Sequence, residues 1–154
     1  MSYVSATVSA RAALEIMDER NKVATLEPEC RLRANAVLLL LAIAGYGRAR
    51  VRSCRRSLIE EEVLYGQGRS EAELRAAGVD PSLAVPRAAQ VTWTLPIDAD
   101  HVCGQAMDVG FEMYMSVQWE VVQSICRMLN LEWGGLWKVR DMGHFSFRQK
   151  YNGD

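Results

Sequence analysis

Apolar residues recur at helical spacing through the N-terminal third of the chain. Ala10, Ala13, Leu14 and Met17 mark a first helix over residues 5–22. Leu26-Glu27-Pro28 opens a second, since proline fits a first helical turn, where its missing N–H is no loss. Cys30, Leu32, Ala36, Leu39, Leu40 and Ile43 carry that helix to Gly45 and Gly47, where glycine can adopt the positive φ of a helix end. The run 37–44 is apolar on every side and predicts a buried helix; it falls well short of the ~20 apolar residues of a membrane span.

The period then shortens. Residues 50–53 predict a short strand, and Ser57 is placed to cap a third helix that ends at Gly66 and Gly68. Glu60, Glu61 and Glu62 lie near the positive end of that helix dipole and read as a solvated face. Residues 71–87 start like a helix but contain Gly78, Pro81 and Pro86, which predicts a surface excursion rather than a core element. Val91-Thr92-Trp93-Thr94 has strand composition, as do residues 106–111 and His144-Phe145-Ser146-Phe147. Between the last two, Val117, Trp119, Val121, Val122, Ile125 and Met128 predict a largely buried helix over 116–129, and Trp133-Gly134-Gly135 ends that region. Helices first, then short strands around a further helix, is an α+β order: a small antiparallel sheet flanked by helices. A chain of 154 residues fits one domain, divided into an N-terminal helical part, 1–48, and a core, 49–150.

Composition narrows the function. A formal charge of −1 and a pI near 6.1 give no excess of basic residues for nucleic acid or an anionic membrane, so the partner is expected to be chosen by a pocket. Cys30, Cys54, Cys103 and Cys126 are scattered without a CxxC pair, which predicts neither a disulfide scaffold nor a cysteine zinc ribbon. No signal peptide is recognised, so synthesis in the cytoplasm is expected, and the chain is expected to be a monomer.

The chemistry concentrates around the chain's two histidines. In Asp100-His101-Val102-Cys103-Gly104-Gln105-Ala106-Met107-Asp108, a histidine before a glycine bend and an aspartate after it can converge on one ion. With His144 they complete two imidazoles and a carboxylate, a sufficient protein ligand set for a catalytic Zn2+ that keeps a fourth position for water. Asp141, three residues before His144, can reach that water without occupying the metal, which makes it the expected general base. Each histidine taken alone reads first as a surface or satisfied core residue. A site of His101, Cys103 and Cys126 is an alternative ligand set, although no thiolate spacing supports it.

Several stretches resemble the D-Ala-metallopeptidase family, which includes D-alanyl-D-alanine carboxypeptidases and dipeptidases and the L-alanyl-D-glutamate endopeptidases of phage endolysins. HxxGxAxD at 101–108 and DxxH followed by Phe at 141–145 carry the resemblance. Upstream, residues 56–65 resemble its RSxxEQxxLY stretch, residues 67–70 its QGR(T/S), and Trp133-Gly134-Gly135-Leu136-Trp137 its WGGxW element. The matches run in one consistent order over roughly residues 50–147. Ala99, Leu136 and Ser146 depart from a common serine, aspartate and glutamate, and residues 71–87 lengthen the link after Arg69.

The resemblance implies that His101, Asp108 and His144 bind zinc, that Asp141 is the base, and that Arg56 steadies charge on the substrate carbonyl. Arg55 could take that role after a one-residue shift. Loss of Arg56 is expected to slow turnover while sparing the fold. Arg69 is either a support that braces a loop or a substrate contact. The implied substrate is the stem peptide of bacterial peptidoglycan, cut as by an L-alanyl-D-glutamate endopeptidase of endolysin type that acts on the wall after release from the host cytoplasm. A D-alanyl-D-alanine carboxypeptidase, and a non-catalytic zinc-binding or virion structural protein of the same fold, are the alternatives.

Overall fold

The computed structural model describes residues 10–148. Two helices, α1 (Ala10–Ala24) and α2 (Pro28–Leu41), precede a wider helical turn over Ala42–Tyr46. Strand β1 (Arg50–Ser53) follows, then α3 (Leu58–Gly66) and α4 (Glu71–Ala76). After two single 3-10 turns come β2 (Ala106–Gly110), α5 (Trp119–Met128), β3 (Glu132–Trp133) and β4 (His144–Ser146). The four strands form one antiparallel sheet in the order β1-β2-β4-β3, so the expected α+β class is the observed one.

Local sequence explains these elements. Pro28 sits in the first turn of α2. Ser57 caps α3 through a full capping box, its side chain accepting from the Glu60 N–H while Glu60 reaches back to the Ser57 N–H. On β2, Met107 and Val109 are buried on one face while Asp108 and Gly110 lie on the other, as a period of two requires. Phe145 of β4 joins the buried face. That face packs against Val23, Ala34, Val37 and Leu41 of α1 and α2 and against Val122, Ile125 and Cys126 of α5. Asp108 and His144 are direct cross-strand partners on the opposite face, which puts the candidate site on the side of the sheet away from this core.

Three expectations need correction, and a fourth, the first helix, is described only in part. The first helix begins, in the described residues, at Ala10 and runs to Ala24; its expected start, residues 5–9, lies outside them. Helix α2 is half-buried, with Leu32 and Leu39 exposed, as is Ile43 of the turn that follows, because a helix against one layer can cover only one stripe of its surface. Residues 91–94 form no strand; the sheet's β1 edge is not extended by them, and the Thr92 carbonyl accepts from Arg69 instead. The 71–87 excursion has a small core of its own, Leu74 and Val79 buried with Tyr65, so it is more than a surface loop.

Candidate metal centre

The loop between His101 and β2 turns at Gly104, whose φ of +69° is the left-handed conformation that glycine adopts without strain. Its carbonyl accepts from the Glu27 N–H at 2.9 Å, which ties the loop to the α1–α2 junction. His101 is fixed from two sides. Its Nδ1 donates to the Cys54 carbonyl at 2.5 Å, and its own carbonyl accepts from the Arg56 N–H at 3.1 Å. A carbonyl oxygen only accepts, so the proton of the ring must sit on Nδ1, leaving Nε2 to face the site.

His101 Nε2 lies 3.2 Å from Asp108 Oδ1, and His144 Nδ1 lies 3.0 Å from the same oxygen. The rings of the two histidines meet edge to face at 5.1 Å, and the three ligand atoms fall within 4.8 Å of one another. Burial alone would raise the Asp108 pKa, but hydrogen bonding and charge from the two facing rings hold it well below the usual carboxylate range, so Asp108 is an anion at neutral pH. Electron-rich atoms pointed at a shared oxygen need either extra protons or a cation between them. Zinc bonds of roughly 2.0–2.2 Å in tetrahedral arrangement put ligand atoms roughly 3.3 Å apart, close to the two spacings seen. His101, Asp108 and His144 therefore fit a metal ion, and they are the group among the described residues that could hold one. Cys126 is buried in the α5 core and Cys103 is exposed, and neither belongs to the group.

The other oxygen of Asp108 accepts from Arg56 Nη2 at 2.5 Å, and Arg56 Nη1 reaches Glu61 at 3.2 Å. Glu61 is only 3% exposed, which corrects the solvated reading of the glutamate run. It lies four residues before the buried Tyr65 on the inner face of α3, and that helical spacing was the signal in the sequence that could have found it. Arg56 therefore has a structural load as well: removing it would strand a buried carboxylate, so an Arg56 change is not expected to leave stability untouched. Arg55 is turned elsewhere, to Glu27.

Asp141 is exposed and lines the same groove as His101, Asp108, His144 and Arg56. Its Oδ1 accepts from the Gly143 N–H at 3.2 Å, and its N–H donates to the Gly134 carbonyl at 3.0 Å, so the WGG segment and the turn into β4 together hold it. Trp133 is buried and donates to the Met142 carbonyl, while Trp137 lies over the His144 ring at 4.8 Å. Arg69 is buried away from these groups. It donates to the Tyr65 and Thr92 carbonyls at 2.5 and 2.7 Å and stacks on the Tyr65 ring at 3.7 Å.

The groove itself has a volume of about 1370 Å³ and runs past residues 90–94 on one side and 137–144 on another. No protein-family model matches the chain, and no curated protein matches it either. Among solved structures, it is similar to the crystal structure of Serratia marcescens L-Ala D-Glu endopeptidase ChiX, with 19% sequence identity and a TM-score of 0.46, over 84% of this chain and 86% of that one.

Proposed function

We propose that this chain is a zinc-dependent peptidase that hydrolyses the stem peptide of peptidoglycan at the bond between L-alanine and D-glutamate. The observation that carries the reading is the convergence of His101, Asp108 and His144 on a common point in a groove that Asp141 and Arg56 also line. The ordered motifs that contain these residues support it. His101, Asp108 and His144 would hold the zinc, which would supply Lewis acidity and make water a stronger acid near neutral pH.

The chain's own residues divide the rest of the work. His101 is held in its metal-binding tautomer by the Cys54 carbonyl. Asp141 keeps one oxygen on the Gly143 N–H, and its carboxylate takes the water's proton and passes it to the departing amine. Arg56, steadied by Asp108 and Glu61, turns N–H donors toward the charge that develops on the carbonyl oxygen. A groove larger than the roughly 300–1,000 Å³ of small-ligand pockets suits a peptide that continues on both sides of the cut bond, as an endopeptidase requires.

On this reading the chain acts at the cell wall, as an endolysin does after release from the host cell; no helix among the described residues is long and apolar enough to cross a membrane. The test is metal content measured together with digestion of purified peptidoglycan by wild type and Asp141→Ala, the new amino termini being followed by mass spectrometry. About one zinc per chain, fresh D-glutamate amino termini and a zinc-loaded but inactive variant are expected. Release of terminal D-alanine would redirect the activity to a carboxypeptidase. Zinc without cleavage would point to the non-catalytic protein, and no zinc would remove the site.

A further inference from the structure

Strand β1 carries a feature that the metal centre does not use. Arg50 pairs with Gly110 and Val51 with Val109, but the next pair is Ser53 with Asp108, so Arg52 is an extra residue with no partner across the ladder. Such a bulge bends the strand and re-aims the side chain of the inserted residue. Val51 before it is buried in the core, whereas Arg52 is exposed and lines the groove.

Its guanidinium lies directly against Gly110. A Cβ at position 110 would fall 2.2 Å from Arg52 Nε and 3.0 Å from Cζ, so the present placement of Arg52 requires a glycine there. Gly110 is two residues past Asp108 on the same face of β2, roughly 7 Å along the strand. The neighbouring arginines are paired: Arg48 with Glu112, Arg50 with Glu19, Arg55 with Glu27, Arg56 with Asp108 and Glu61, and Arg148 with Asp100. Among the described residues Arg52 has neither an ion-pair nor a hydrogen-bond partner.

We propose that Arg52 is the specificity-determining residue of the groove and that it holds the free α-carboxylate of the D-glutamate beside the cut bond. This rests on the peptidase reading above. In the stem peptide that D-glutamate is joined onward through its side-chain carboxyl, which leaves its α-carboxylate three bonds from the scissile carbonyl carbon, roughly 4 Å away by standard bond lengths. A charged N–H···O contact adds roughly 2.8 Å. That reach is of the order of the roughly 7 Å rise from Asp108 to Gly110 along β2, beside which the Arg52 guanidinium lies, and the planar guanidinium suits a carboxylate better than a carboxamide.

The test uses two synthetic stem peptides that differ only in a free α-carboxylate or an α-carboxamide at D-glutamate. Hydrolysis is measured with the zinc-loaded chain, and binding with the metal-free chain by NMR of the arginine Nε–Hε signals. Wild type is expected to favour the carboxylate peptide by about 10- to 100-fold in kcat/KM, mostly through KM, in keeping with one charged hydrogen-bonded contact. Arg52→Gln should bring the ratio near unity and Arg52→Lys should restore part of it. Gly110→Ala should act like Arg52→Gln without deleting the arginine, because the atoms it displaces are the flexible end of that side chain. Lys138→Gln and Arg140→Gln, cations of the exposed loop before Asp141, should keep the wild-type ratio. Equal hydrolysis of both peptides by wild type, or a preference that survives Arg52→Gln, overturns the proposal and leaves the peptidase reading standing. Arg52-dependent binding of the carboxylate peptide without hydrolysis supports Arg52 and removes the peptidase. If neither peptide is bound or cut, both readings fall.

Discussion

The candidate metal site and the excursion from Gly66 to Pro96 both bury charged side chains, yet they satisfy them by opposite means. In the excursion the charges of Arg69, Glu71, Glu73, Arg75 and Asp80 are met locally. Ser70 and Glu73 close a capping box, Asp80 accepts from the Ser82 N–H, and the buried Arg69 is held by two carbonyls and the Tyr65 ring. On the sheet, Asp108 presents one oxygen to two ring nitrogens and the other to Arg56, which in turn holds the buried Glu61. The first arrangement is complete with its own atoms, and its hydrogen bonds define a loop. The second gathers lone pairs at a point that only a proton or a metal cation can satisfy, which is what separates a binding site from a well-braced turn.

The largest effect that would test this contrast is loss of metal. His144→Ala is expected to reduce bound zinc to background and abolish hydrolysis, whereas Arg69→Ala should leave zinc content unchanged and lower thermal stability; both are read from metal analysis and calorimetry on the same samples. Arg56→Ala comes next. An expected loss of about 100- to 1,000-fold in kcat reflects one missing donor to the carbonyl oxygen, accompanied by a fall in stability of about 1–3 kcal/mol from the stranded Glu61. Restoring stability with Arg56→Ala/Glu61→Gln while kcat stays low would separate the two roles.

Leu74→Ala should cost about 2–5 kcal/mol, since Leu74 is fully buried in the small cluster with Tyr65 and Val79. Denaturation followed at the Trp residues and by zinc release would tell whether the excursion opens before the sheet. Loss of zinc in step with the excursion would erase the distinction between the two regions.

A smaller effect concerns pH. Burial pushes the Cys54 and Cys126 thiols up to about 12, so both stay protonated in the folded chain at pH values where an unfolded chain has released its thiol protons. The folded state then binds more protons, and stability should be constant below the ordinary thiol pKa and fall as pH rises from there toward about 12. Cys54→Ala/Cys126→Ala should flatten that part of the profile in urea titrations. In the native protein, alkylation should label the exposed Cys103 and spare Cys30, Cys54 and Cys126. The smallest change expected is from Arg75→Gln, which breaks an exposed pair with Glu71 within α4 and should alter stability by no more than about 0.5 kcal/mol.

Local pattern was sufficient for much of this protein. Pro28, Ser57 and Gly104 announced a helix start, an N-cap and a bend because each acts through its own backbone or that of residues three or four away. The alternation at 144–147 and the composition of 106–111 also foretold strands, and the two histidines and the aspartate stood out because few residue types ligate metal. What lay beyond the sequence were the relations between distant segments. Glu61 read as solvent-facing because its neighbours are glutamates; its spacing from Tyr65 put it on the inner face of α3, but its pairing with Arg56 came from packing. Residues 91–94 had strand composition but pair with no strand of the sheet, since strand formation depends on a partner's hydrogen bonds as well as on propensity. The carbonyl that sets the His101 tautomer comes from Cys54, 47 residues away, and the bulge that turns Arg52 over Gly110 exists only in the pairing of β1 with β2. The chain alone determined which groups could do chemistry; burial and register, which depend on all the elements at once, decided which of them face one another.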